Sequence, residues 1–189
     1  MELAWIFVDA GTCLFGDRAR PVEVPALWWT ATTITRAQVS IAHREGMGED
    51  EGALPVTGVD QGEATAIAQT LGGRLPRSVE WEWMAAGPKR RVYPWGEADW
   101  TPRHANLRGS GHGRAVPPGS CRAGATPQGL LEVAGNVWEW TASPVLGGGA
   151  VLRGGSYNSL PLYARCRFLN AAPRWLRSPG IGMRVVREP

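Results

Sequence analysis

Three cysteines, three histidines and a handful of carboxylates are the side chains in this 189-residue sequence that could do redox or metal chemistry. Cys13, Cys121 and Cys166 are odd in number and form no Cys-x-x-Cys pair, so they predict neither a disulfide framework nor a zinc site. They read as small buried thiols. His43, His104 and His112 include no pair at the spacing that puts two imidazoles on one helix face, and each reads as a loop or surface residue. The carboxylates Glu80, Glu97 and Glu139 stand in Trp-rich stretches. Arg74, Arg153 and Arg184 are their natural partners, because a guanidinium satisfies a carboxylate through two hydrogen bonds inside a loop-rich core.

The elements that must position these groups are short. The composition is globular, with 43% hydrophobic and 20% charged residues, and the 25 Gly and 15 Pro call for many turns rather than long helices. Ten Trp give such a fold large buried anchors. Ala4 to Val8 and Thr12 to Phe15 read as strands around the turn Asp9-Ala10-Gly11, and an extended run follows from Val22 to Thr30. Thr35 and Gln38 open a helix that Gly46 stops. A second helix has Asp60 as N-cap, Glu63 as its partner, and Ala64, Ile67, Ala68 and Leu71 on one face. A third starts at the cap Ser78 and stops at Gly87. Residues 88 to 126 predict a long loop region, which in a compact domain is functional or tied down. Later strands are expected at Val137 to Thr141, Val151 to Arg153 and Met183 to Val186, with a turn at Gly147-Gly148-Gly149. No repeat or linker divides residues 1–189, which read as a single domain.

Net charge is +3, Lys89 is the only lysine, and no run of four cations occurs, so nucleic acid is not an expected partner. A preference for Arg fits a GC-rich genome or a thermostable protein. No stretch approaches the length of a membrane span, and Glu2 with the short apolar run Leu3 to Val8 does not make a signal peptide. The expected location is cytoplasmic or virion-associated, with no membrane partner.

Several blocks, read in order, resemble the formylglycine-generating-enzyme (sulfatase-modifying factor) family. They are Gly72-Gly73-Arg74-Leu75-Pro76 with Glu80-Trp81-Glu82-Trp83, then Tyr93-Pro94-Trp95-Gly96-Glu97 and Ala105-Asn106-Leu107. Gly135-Asn136-Val137-Trp138-Glu139-Trp140, Arg153-Gly154-Gly155-Ser156-Tyr157 and Gly182-Met183-Arg184 follow, so the likeness covers nearly the whole chain. The resemblance implies an α+β, C-type-lectin-like fold with small twisted antiparallel sheets, two main helices and much ordered loop. It also implies calcium near Asn106, Asn136 and Glu139, since oxygen ligands in loops suit a hard cation. In the resembling enzymes a cysteine pair shortly after the Arg-Gly-Gly-Ser block binds copper, two thiolates being the ligands that select Cu(I). Residues 158 to 164 here contain no cysteine. A related group carries the fold beside a three-histidine iron module for sulfoxide synthesis, a pattern this sequence also lacks. No cofactor is therefore expected to be required, and no catalytic residue is assigned.

Within the family, the segment 158–180 resembles the rewritten C-terminal face of the variable proteins of diversity-generating retroelements. Fixed Arg and Gly residues hold the backbone there while interspersed side chains change. On that reading Asn158, Ser159, Leu160, Leu162, Tyr163, Phe168, Asn170, Trp175, Leu176, Ser178, Pro179 and Gly180 bind a protein or other surface ligand. The expected function is a non-catalytic binding protein. The alternatives are a formylglycine-generating-enzyme-like oxidoreductase, using Cys166 alone or with Tyr163 in altered chemistry, and a degenerate enzyme or accessory subunit.

Overall fold

The computed structural model describes residues 3–39 and 49–189. Strands β1 (Trp5–Val8) and β2 (Gly11–Phe15) lie where the sequence places them, but they do not pair with each other. β2 pairs with β3 (Arg20–Val24), and β1 pairs with β4 (Leu27–Thr30), both antiparallel. Trp83 explains the change of sheet. Its indole N–H donates to the Asp9 carbonyl at 2.8 Å, and a Cβ on Gly11 would overlap its ring, so the indole fills the corner. The extended run Val22 to Thr30 is likewise two strands, interrupted at Pro25, which has no N–H for a ladder.

Helix α1 (Arg36–Val39) begins after Thr35, whose N–H donates to Gln38 Oε1 at 2.9 Å. The stop expected at Gly46 lies outside the described residues, and α2 spans Glu49–Gly52. Helix α3 (Gln61–Thr70) has the full reciprocal cap. Glu63 N–H donates to Asp60 at 2.9 Å, and Asp60 N–H donates to Glu63 at 3.0 Å. Helix α4 (Ser78–Ala86) corrects the expected cap: Arg77 is the N-cap and Ser78 the first helical residue. The Ser78 hydroxyl is not free to cap because it accepts from Arg153 Nε at 2.8 Å. Glu80 closes the turn instead, accepting the Arg77 N–H at 2.7 Å.

β5 (Trp138–Val145) and β6 (Gly149–Arg153) form a hairpin through Gly147 and Gly148, both at positive φ. β7 (Asn170–Pro173) and β8 (Ile181–Gly182) complete a four-stranded sheet of order β7-β6-β5-β8, with β8 parallel to β5. β9 (Val186–Arg187) joins β4 in the other sheet. The single strand expected at Met183 to Val186 is thus split between two sheets, with Arg184 turned fully inward at the crossing. The expected α+β class of small antiparallel sheets, two main helices and abundant ordered loop is what the chain adopts.

One core cluster joins α3 to the four-stranded sheet around Trp140, Leu152 and Met183, and a second joins α4 to β4 around Trp29 and Trp81. Buried ion pairs tie them together. Arg74 meets Glu80 at 2.8 Å and Arg184 meets Glu139 at 3.0 Å, both within the set of partners expected from sequence. Arg153 instead takes Glu82 at 2.9 Å, and Glu97 accepts the Val92 N–H at 3.1 Å. Residues 88–126 are tied down rather than loose. Tyr93, Trp95 and His104 stack in succession, and Glu132 accepts the N–H groups of Gly119 and Cys121.

Candidate functional site

A cleft of about 280 Å³ opens on the face carrying the C-terminal segment. Three framework blocks build its walls. Trp138 comes from the start of β5, Ser156 and Tyr157 follow the buried Arg153, and Gly180 and Ile181 lead into β8. Asn158, Asn170, Leu176 and Ser178 close it from the more exposed side. The backbone around it is pinned. Trp138 N–H donates to the Gly180 carbonyl at 2.8 Å, Tyr157 N–H to the Asn136 carbonyl at 3.0 Å, and Ser156 N–H to Ser159 Oγ at 2.9 Å. None of the lining side chains is charged, so the cleft offers hydroxyls, amides and two aromatic walls to a ligand.

The outer strap of this cleft, residues 174–180, is held to the N-terminus of α3. Gln61 N–H donates to the Arg174 carbonyl at 2.9 Å and Gly58 N–H to the Ser178 carbonyl at 3.0 Å. Arg177 grips Asp60 at 2.7 Å and also pairs with Glu63. Arg177, through its hydrogen bond and charge, holds the Glu63 carboxyl below its ordinary value.

The side chains singled out from sequence on the C-terminal segment mostly face outward. Asn158, Leu160, Leu162, Tyr163, Asn170, Trp175, Leu176 and Pro179 are exposed, and Trp175 reaches 72%. Phe168, Ser178 and Gly180 are half-buried, and Ser159 is buried against Ser156. The cleft gathers Asn158, Asn170, Leu176, Ser178 and Gly180; Leu160, Tyr163, Trp175 and Pro179 stand apart from it. Trp138, Ser156, Tyr157 and Ile181 were missed as lining residues. Their positions inside or beside the motif blocks were the available signal.

The copper and iron implied by resemblance do not fit the described residues, whereas family membership is consistent with a calcium site. Cys166 is fully buried and Tyr163 exposed, so the two share no site. Burial pushes the Cys166 thiol well up and the Cys13 thiol up to about 12, the reverse of what a thiolate ligand needs. Burial raises Cys121 as well. His104 is stacked on Trp95 with its Nδ1 turned to Thr101, His112 is exposed, and His43 lies outside the described residues. Among the described residues no group of three His, Cys, Asp or Glu could hold a metal ion.

The expected calcium ligands are occupied by protein. Asn106 Nδ2 donates to Asn136 Oδ1 at 3.0 Å, and Ser110 donates to Asn106 Oδ1 at 2.7 Å. Both Glu139 oxygens accept from Arg184, and one also accepts the Trp81 indole N–H at 2.7 Å. Glu139 is thus the counter-ion of a buried arginine, remote in role from the Asn pair. A calcium ion on these three side chains would displace those bonds.

Comparison with known proteins places this geometry. The sulfatase-modifying factor enzyme 1-like domain matches residues 4–189. The hercynine oxygenase of Mycobacterium tuberculosis is 36% identical over 174 residues, covering 80% of this chain and 40% of that protein. The formylglycine-generating enzyme of Streptomyces coelicolor is 35% identical over 133 residues, covering 54% of this chain and 42% of that protein. The chain therefore spans less than half the length of these relatives. Among solved structures, Treponema denticola variable protein 1 superposes with a TM-score of 0.81 at 19% identity, covering 100% of this chain and 96% of the other. That likeness bears out the expected kinship with variable proteins at the level of fold alone.

The relatives correct the functional expectation. A non-catalytic binding protein was expected because the cysteine pair is missing, yet the relatives above 30% identity include an oxygenase and a formylglycine-generating enzyme. Leaning away from enzyme status rested on one metal site, and homology to enzymes without regard to that site overturns it. Among the described residues no helix is long and apolar enough to cross a membrane.

Proposed function

The chain belongs to the sulfatase-modifying factor enzyme 1-like domain family, and from that premise we propose that it serves an oxidoreductase of the formylglycine-generating-enzyme type by binding the organic substrate in the uncharged cleft. The observation that carries this reading is the coincidence of cleft and motif. Trp138, the Ser156-Tyr157 pair and the approach to Gly182 are wall and family block at once.

The chain's own groups bind and orient. Trp138 and Tyr157 line the cleft, and none of its lining side chains is charged. Such walls suit a methylated ammonium, which is attracted to ring faces and needs no counter-charge. Hercynine, named in the 36%-identical relative, is a trimethylammonium compound and therefore the probe of choice. Asn158, Asn170 and Ser178 supply donors and acceptors for its polar end.

Binding rather than turnover tests this, because it needs no metal. Calorimetry with purified protein should detect hercynine, and histidine, lacking the three methyl groups, should bind about tenfold more weakly. Leu176→Trp, which fills the mouth of the cleft, should abolish the signal while leaving the melting temperature unchanged. Failure to bind either hercynine or a cysteine-containing peptide at millimolar concentration would sink the proposal.

A further inference from the structure

Phe168 lines a second groove of about 310 Å³. Its ring touches Trp138, a wall of the cleft, at 6.4 Å between centroids, and itself lines the groove. Arg165 and Arg167 stand on the groove's near side with Leu162 and Leu169, and Gly16 and Asp17 of the β2–β3 turn form the far side. The ion pairs among the described residues engage Arg74, Arg77, Arg153, Arg177 and Arg184; Arg165 and Arg167 are in none of them.

What distinguishes this pair from ordinary surface cations is the backbone that carries it. Cys166, between the two arginines, is 0% exposed and acts as an inward peg. Its N–H donates to the Val92 carbonyl at 2.8 Å, and its carbonyl accepts from the buried Arg153 at 3.1 Å. Arg153 also binds the Phe168 carbonyl at 3.1 Å, and Phe168 N–H closes the turn on the Arg165 carbonyl at 2.9 Å. The turn 165–168 is therefore fixed from inside, and the two guanidinium groups are carried on the same rigid support. The opposite wall is fixed too: Arg90 donates to the Gly16 carbonyl at 2.8 Å and Glu82 accepts the Gly16 N–H at 2.8 Å. Two like charges held two residues apart, in no ion pair among the described residues and with the single carboxylate of Asp17 in the groove, favour an anionic partner, and a fixed platform lowers the ordering cost of binding it.

We propose that this groove is a docking site for an acidic peptide segment, with an apolar side chain against Leu162, Phe168 and Leu169 and flanking carboxylates on Arg165 and Arg167. Asp17 argues for a peptide over a polyphosphate, because it would repel a dense anion but can accept a backbone N–H. The site is separate from the cleft and does not depend on the oxidoreductase reading.

The test is fluorescence anisotropy with a labelled glutamate–leucine–glutamate–leucine–glutamate peptide and its lysine counterpart. The glutamate peptide should bind and the lysine peptide should not. Arg165→Gln and Arg167→Gln should each weaken binding about tenfold, the size of one charge-assisted hydrogen bond, and salt should weaken it further. Both variants should keep the parent melting temperature and hercynine response, which separates a failed groove from a failed cleft. Equal binding of the two peptides, unaltered affinity in both variants, or no binding of the glutamate peptide would each overturn the proposal.

Discussion

Replacing Arg184 by Met tests how the framework is held together. Arg184 and Glu139 both have fully buried side chains. Arg184 Nε lies 3.2 Å from each Glu139 oxygen and Nη2 lies 3.0 Å from one of them. Nη1 donates to the Thr30 carbonyl at 2.9 Å and Nη2 to the Leu131 carbonyl at 2.8 Å. One guanidinium thus joins the end of β4, the loop at 131 and the start of β5. After Arg184→Met, Glu139 keeps only the Trp81 indole as a polar side-chain partner, and two carbonyls lose this donor. Removing one member of such a pair costs about 3–5 kcal/mol. At about 2–4 °C per kcal/mol for a chain of this length, the melting temperature should fall by about 6–20 °C. Glu139→Gln should cost a similar amount by leaving the guanidinium uncompensated. The double variant buries no charge, so it should be more stable than the sum of the two singles by about 2 kcal/mol. Urea unfolding followed by tryptophan fluorescence measures all three. Additivity within about 0.5 kcal/mol, or singles costing under about 1 kcal/mol, would refute the counter-ion role and return Glu139 to consideration as a metal ligand.

Two further outcomes are expected. Trp140→Ala should cost about 3–5 kcal/mol because its indole is fully buried, whereas Leu176→Ala should cost under about 1 kcal/mol at 39% exposure; thermal melts ranking them equally would contradict the surface assignment. Burial acts to raise the Glu80 carboxyl, but hydrogen bonds from Arg74 and Arg77 outweigh it and hold the group below its ordinary value. A depressed folded-state value contributes stability that is complete above the unfolded value, about 4.3, and is lost as pH falls through the folded one. The stability gap between the parent and Glu80→Gln should therefore narrow on acidification below about pH 4.3, and a gap constant from neutrality to about pH 3 would contradict the pairing.

The elements most legible in the sequence were those whose signal is local. The Asp60–Glu63 cap and the Gly147-Gly148 turn follow from residue types and short spacing alone, whereas the outward set on 158–180 followed only from the family resemblance. Strand partners were not legible: β1 and β2 look like a hairpin until Trp83, some seventy residues on, fills the corner between them. Ser78 looked like a cap because its hydroxyl could bond its own helix. Arg153, far along the chain, takes that hydroxyl first. For the site, the motif blocks marked the cleft's rigid walls, but nothing in their spacing shows that Trp138 and Tyr157 face one opening. The groove at Arg165 and Arg167 was equally hidden, since Cys166 reads as a lone thiol until its burial makes it the peg between them.

The missing cysteine pair misled the functional expectation for a physical reason. Thiolates near the Arg-Gly-Gly-Ser block determine which metal the chain can hold, whereas the shape of the cleft is determined by groups that do not touch a metal. Arg153 fixes the turn 165–168 ahead of β7, and Arg184 ties the start of β5 through Glu139. Ser156, Tyr157 and Trp138 are held by bonds to Ser159, Asn136 and Gly180, none of which involves sulfur. Absence of one donor set is therefore compatible with an intact cleft wall. The likeness to a variable protein at 19% identity is one of backbone fold. A frame stabilised from within by buried arginine–carboxylate pairs does not depend on the side chains of the outer face.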